Sequence, residues 1–136
     1  MKILLLEDDL ILNEIIEEHL LSQNYEVSAV YNGLEAQDLL YSQKFDLLLL
    51  DVNVPILNGF ELLKELRQKE IYTPAIFLTS LNQVSDIEEG FKSGCDDYIK
   101  KPFELKELDI RINNIKRLFN INPNNLTEIS KNIFLD

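Results

Sequence analysis

Five short apolar runs alternate with longer stretches of helical period. The runs are "KILLL" (Lys2 to Leu6), "EVSAV" (Glu26 to Val30), "DLLLL" (Asp46 to Leu50), "AIFL" (Ala75 to Leu78) and "DYI" (Asp97 to Ile99). Between and after them, Leu12, Ile15, Ile16, His19 and Leu20 recur at helical spacing, as do Phe60, Leu62, Leu63 and Leu66, and later Leu105, Leu108, Ile112, Ile115 and Phe119. Strand then helix, five times over, predicts an α/β fold with a parallel sheet and five helices. Strands buried on both faces read as unbroken apolar runs, whereas edge strands keep polar residues on one side. The first, third and fourth runs are unbroken and belong in the centre, while the mixed second and fifth belong at the edges. An order of 2-1-3-4-5 satisfies this.

In that order the chain reverses direction between the first and third strands, and ligands of open α/β sheets gather beyond the carboxyl ends at such a point. The residues just after those two strands are Glu7, Asp8, Asp9 and Asp51. Adjacent carboxylates make one another harder to ionise, so something should relieve the repulsion. Asp9 can cap or charge-complement the first helix. Asp8 with Asp51 suits a hard cation, because Mg²⁺ takes one or two carboxylates, keeps waters and leaves room for a phosphate oxygen. Thr79 and Ser80 follow the fourth strand, and Lys100, Lys101 and Pro102 the fifth. A hydroxyl and an ammonium facing an acidic cluster suit a tetrahedral oxyanion bridging metal and lysine. The implied ligand is a phosphoryl group.

Composition narrows the partners. At 136 residues, 46% hydrophobic and 27% charged, the chain has the size and texture of one globular domain. Its formal net charge of −11 makes it a poor nucleic-acid binder by itself, so proteins or cations are the expected partners. Cys95 is the only cysteine, which excludes an internal disulfide and fits a reducing compartment, the cytoplasm. No apolar run is long enough for a signal-peptide core or a membrane span. His19, the only histidine, falls among the apolar positions of the first helix and reads as packing.

The motifs together resemble the receiver domain of two-component response regulators from Lys2 to about Phe119. They are the acidic pair Glu7 and Asp8, Asp51 after "DLLLL", "VPILNG" (Val54 to Gly59), Thr79-Ser80 and "GCDDYIKKPF" (Gly94 to Phe103). The resemblance implies a flavodoxin-like (CheY-like) doubly wound fold. It makes Asp51 the acceptor of a phosphoryl group from a sensor histidine kinase. Asp8, Asp51 and the backbone carbonyl of Asn53 would hold Mg²⁺, with Glu7 acting through water. It implies that Thr79 and Lys101 contact the phosphoryl oxygens, that Thr79 and Tyr98 form the switch, and that the Lys101-Pro102 bond is cis. Asn53 and Leu81 occupy positions that tune phosphoryl hydrolysis, and an apolar Leu81 predicts a long-lived phosphoryl state.

After Phe119 the texture becomes "NINPNNLTEISKNIFLD". Asn-rich sequence around Pro123 reads as a linker and "ISKNIFLD" as a strand. A lone strand is not stable, so residues 1–119 are expected to form the receiver and residues 120–136 a linker plus the first strand of an output domain. Such a tail resembles the OmpR/PhoB subfamily, whose winged-helix domain would supply the DNA contact. That subfamily forms an active homodimer through the fourth helix, fifth strand and fifth helix. Asp96, Asp97, Glu107, Arg111 and Arg117 match its charges, whereas Ile87 and Lys92 depart from it and leave Glu107 without its usual partner. Two other readings stay open here: a stand-alone chemotaxis-type receiver that docks a protein, and a Mg²⁺-dependent aspartyl phosphohydrolase. The latter lacks its second acid, because Asn53 cannot relay protons.

Overall fold

The computed structural model describes residues 1–80 and 84–121. Leu81 and the expected strand of the tail lie outside them. The chain runs β1 (Lys2–Leu6), α1 (Leu10–Ser22), β2 (Glu26–Val30), α2 (Gly33–Ser42), β3 (Leu47–Asp51), α3 (Gly59–Gln68), β4 (Ala75–Thr79), α4 (Val84–Lys92), β5 (Asp97–Lys100) and α5 (Leu105–Leu118). All four strand pairings are parallel, in the order β2-β1-β3-β4-β5. The mixed strands are at the edges, as the hydrophobic pattern predicts.

Alternation along the strands divides the leucines between two cores. Leu4, Leu6, Leu48, Leu50 and Phe77 face one side, where Ala36 and Leu40 of α2 and Leu62, Leu63 and Leu66 of α3 cover them. Ile3, Leu5, Leu47, Leu49, Ile76 and Leu78 face the other, under Ile16 and Leu20 of α1 and Leu108, Ile112 and Ile115 of α5. Phe60 meets Phe77 edge-on at 5.2 Å. In α4 only Gly90 is buried. A Cβ there would lie 3.3 Å from the Tyr98 ring, so this helix packs closely on β5 through one small residue.

Three helical positions differ from the sequence pattern. Ile15 is 45% exposed and the buried face of α1 is instead Asn13, Ile16 and Leu20. Phe119 follows the end of α5 and is also largely exposed. His19 is not simple apolar packing: its Nε2 meets Asp109 Oδ1 at 2.8 Å and ties α1 to α5. A pattern read on hydropathy alone misses part of the buried face of α1, because one of its buried positions is a polar residue, Asn13.

Candidate functional site

The acids of the β1–α1 loop divide their work. Glu7 is wholly buried, its N–H continuing the ladder to Val30 O at 3.1 Å. Its carboxylate accepts the Lys101 ammonium at 2.6 Å and the Asp9 N–H at 3.1 Å. Asp9 is the N-cap of α1, accepting the N–H groups of Ile11 and Leu12 at 3.0 and 3.1 Å. These bonds satisfy donors that every helix start leaves open. Asp8 is exposed, and its carboxylate has no hydrogen-bond partner among the described residues. The acid best placed to meet a cation is therefore the one the fold leaves unused.

Asp51 ends β3 and is only 5% exposed. One carboxylate oxygen accepts the Asn53 N–H at 3.2 Å and the other accepts Lys101 Nζ at 3.3 Å. Gly59 explains how the start of α3 comes so near: a Cβ there would fall 2.6 Å from the Asp51 carbonyl oxygen. Lys101 is positioned by its backbone, which donates to Thr79 O at 2.8 Å, and the Lys101-Pro102 bond is cis. Thr79 is buried at the end of β4, beside the strand β5 that carries Tyr98. The side chains of Glu7, Asp51 and Lys101 thus converge from three strand ends, with Thr79 joined to Lys101 through the backbone.

The charges do not balance. Glu7, Asp8 and Asp51 each place a carboxylate oxygen within 4.8 Å of the others, while Lys101 is the one ammonium among the described residues that reaches them. Burial, then repulsion from Glu7, pushes the Asp51 carboxyl up to about 7, with Lys101 opposing. Burial alone would lower the Lys101 pKa, but its bonds and attraction to Glu7 and Asp51 raise it. An all-oxygen donor set with surplus negative charge, one ligand open to solvent and one buried, fits a hard divalent cation.

The charged residues assigned to a dimer face lie elsewhere, on and just before β5 and on α5. Arg111 meets Asp97 at 3.2 Å and Glu107 at 3.4 Å, so Glu107 has a partner within its own chain. Arg117 bonds Asn114. Asp96 accepts the Ala75 N–H at 2.9 Å and faces Arg67 at 3.4 Å, which ties it to the start of β4. Cys95 is buried, and burial followed by Asp96 and Asp97 pushes its thiol up to about 12, so it is no nucleophile. No described helix is long and apolar enough to cross a membrane.

Asn13 is the residue of this region that the sequence did not reveal. It is buried in α1, and its amide nitrogen donates to Glu7 O at 2.9 Å and Val30 O at 3.2 Å. A polar residue at helical spacing between apolar ones carries no sign of being innermost. The one available signal was its place, four residues after Asp9.

The chain as a whole is similar to known proteins. The transcriptional regulatory protein CrdR of Helicobacter pylori is 46% identical over 134 residues, covering 98% of this chain and 60% of the relative. The chain spans between 50% and 60% of the length of the curated relatives it matches. The receiver domain of the Francisella response regulator 1452 superposes with a TM-score of 0.82 at 35% identity, over 87% of this chain and 98% of that one. The receiver domain of the sensor histidine kinase PA1611 from Pseudomonas aeruginosa PAO1 was solved with a magnesium ion coordinated in its active site cleft. It superposes with a TM-score of 0.75 at 35% identity, over 85% and 94% of the two chains. Residues 3–113 match the response regulator receiver domain model, and the chain therefore belongs to that family, as a regulatory phosphoacceptor unit and not a conventional enzyme.

Proposed function

We propose that Asp51 accepts a phosphoryl group from the phosphohistidine of a sensor histidine kinase in the cytoplasm. The observation that carries this is the approach of Lys101 Nζ to Asp51 at 3.3 Å, with the ammonium fixed by its backbone bond to the end of β4. An Asp51 carboxylate oxygen attacks phosphorus, the phosphorus–nitrogen bond to the imidazole breaks, and the nitrogen keeps the electron pair and takes up a proton. Asp8, Asp51 and the Asn53 carbonyl would hold Mg²⁺, with Glu7 acting through water. Bound there, the ion would supply the charge neutralisation that lets an anionic carboxylate approach an anionic phosphoryl group. Lys101 neutralises a second phosphoryl oxygen, and the Thr79 hydroxyl donates to a third. Phosphoryl transfer relies on placement and electrostatics more than on covalent assistance, which is what these fixed groups provide.

The same region supplies a switch. Thr79 is buried at the end of β4, beside the strand that carries Tyr98, so a phosphoryl group that draws the Thr79 hydroxyl toward Asp51 changes the surroundings of Tyr98. Tyr98 packs against Gly90 of α4, and its rearrangement reaches the α4–β5–α5 face. Phosphorylation then shifts the population between two arrangements of this face. The output we propose is homodimerisation through the face, which would bring together two output domains that supply the DNA contact. That places residues 1–119 as the receiver and residues 120–136 as linker and first strand of the output domain.

Intact mass after incubation with acetyl phosphate, with and without Mg²⁺, tests the chemistry. One phosphoryl increment that requires both Mg²⁺ and Asp51 supports the reading. An increment that persists in Asp51→Asn, or that ignores Mg²⁺, overturns it. Elution from a sizing column that is unchanged by phosphorylation counts against the dimer.

A further inference from the structure

We infer that Asn13 is a positioning residue for the acidic pair, holding the Glu7–Asp8 peptide in the orientation from which Asp8 meets a divalent cation. The inference rests on the reading of Glu7, Asp8 and Asp51 as a cation site.

The reason lies in where the β1–β2 ladder ends. The last registered pair is Leu6 with Val30, and the Glu7 N–H still reaches Val30 O at 3.1 Å. In a parallel ladder the Glu7 carbonyl would next take the N–H of residue 32. Asn32 is instead the N-cap of α2, its side chain bonded to the Glu35 N–H, and its own N–H makes no backbone bond to Glu7 O. The Glu7 carbonyl, inside the protein at a strand end, is left to find another donor. Asn13 supplies it at 2.9 Å, and the same amide nitrogen reaches Val30 O at 3.2 Å. A side chain of α1 thus replaces the backbone donor that would follow β2 and joins the ends of both strands. Side chains of a helix lean toward its N-terminus, so an amide in the second turn of α1 is directed back over the loop that carries the acids.

The other end of that loop is held as well. Asp9 N–H bonds Glu7 Oε2 and the Asp9 carboxylate caps α1. With Glu7 C=O fixed by Asn13 and the Asp9 backbone fixed by Glu7, the intervening Asp8 has little freedom in its main chain, although its side chain is exposed. The Asn13 Oδ1 atom is buried without a partner among the described residues. The fold accepts that unpaired acceptor in its interior while both donor bonds of the amide are made, so the donors are what the position uses.

The test is Mg²⁺ affinity by calorimetry on the unphosphorylated protein, with Asn13→Ala, Asn13→Asp and Asp8→Asn beside the wild type. Loss of an outer-shell bond that orients a ligand weakens metal binding by roughly 10- to 100-fold, and a tenfold loss in folded Asn13→Ala is the result expected. Asn13→Asp turns a donor toward two carbonyl oxygens into an acceptor and should lose at least as much. Amide exchange of Asp9 in the metal-free protein should quicken in Asn13→Ala more than exchange in the core strands, which a merely structural role would not produce. Affinity within twofold of wild type in folded Asn13→Ala overturns the inference while the cation site stands. Asp8→Asn that binds as tightly as wild type overturns the cation-site reading, and the inference with it. Should Asn13→Ala fail to fold, Asn13→Ser, whose single hydroxyl can serve only one of the two carbonyls, carries the same comparison.

Discussion

Lys101 Nζ lies nearer to Glu7, at 2.6 Å, than to Asp51, at 3.3 Å. The ammonium is thus shared by two buried acids and is not the private partner of either. Sharing keeps both carboxylates from facing each other without a countercharge, and it leaves Asp51 the more weakly held.

Removing the ammonium leaves both acids unpaired, and breaking a buried ion pair by deleting one partner is strongly destabilising. Lys101→Met should lose about 3 kcal/mol of stability at pH 8. At pH 5 the loss should be smaller, because a proton can bridge the acids in place of the ammonium. Urea unfolding at the two pH values measures this, and an equal loss at both would contradict the shared-proton account. If the metal-binding acids are intact, Lys101→Met should still take up phosphoryl from acetyl phosphate, more slowly, without the change in oligomeric state.

Asp51 makes the metal-free protein sensitive to pH in a direction opposite to that of an ordinary ion-paired acid. Its carboxyl moves from the usual 3.8 up to about 7 on folding. Between those values the folded state holds a proton that the unfolded state has released, so stability falls as pH rises through this window and levels off above it. Asp51→Asn removes the effect and should be more stable than wild type by about 4 kcal/mol at pH 8, with little difference near pH 4. Millimolar Mg²⁺ should narrow the gap at pH 8. Thermal melts of the two proteins across this range give the answer, and a gap that widens toward low pH would refute it.

The two neighbouring aspartates should separate cleanly. Asp9→Ala removes an N-cap and should cost about 1 kcal/mol of stability, with only a small change in Mg²⁺ affinity. Asp8→Asn removes a repelling charge from an exposed position, so stability should hold or rise while Mg²⁺ affinity collapses. Urea curves and calorimetry on both variants test the division, and a reversed pattern would reassign the two residues.

Gly59 opens α3, where alanine would ordinarily be favoured by helix propensity. Its Cβ would nevertheless lie 2.6 Å from the Asp51 carbonyl oxygen and 3.0 Å from Val52 Cα. Gly59→Ala should therefore destabilise, by about 1–3 kcal/mol as overpacking does, and should slow phosphorylation by shifting the Asp51 backbone. A stabilised variant would show that α3 is free to move away.

Much of this was legible in the residue order. Unbroken "KILLL", "DLLLL" and "AIFL" against mixed "EVSAV" and "DYI" were enough to order the sheet, because a strand covered on both faces has no place for a polar side chain. Strand order in turn put Glu7, Asp8 and Asp51 at one crevice, since parallel strands all end on the same side. The capping of α1 by Asp9 was also readable, since it stands just before the first helical positions. What separates Glu7 from Asp8 was not legible: they are adjacent carboxylates with the same chemistry, and only the fold decides that Glu7 is buried on Lys101 and Asp8 faces solvent. The same holds for Asn13, whose partners Glu7 and Val30 lie 6 and 17 residues away, and for Glu107, whose partner Arg111 competes with any contact across a dimer. Hydrophobic periodicity records which positions leave water, a property of one residue and its neighbours in sequence. Which donor meets which acceptor depends on where several strand ends and helix starts come to rest together, and that is settled only when the sheet has closed and both cores have packed.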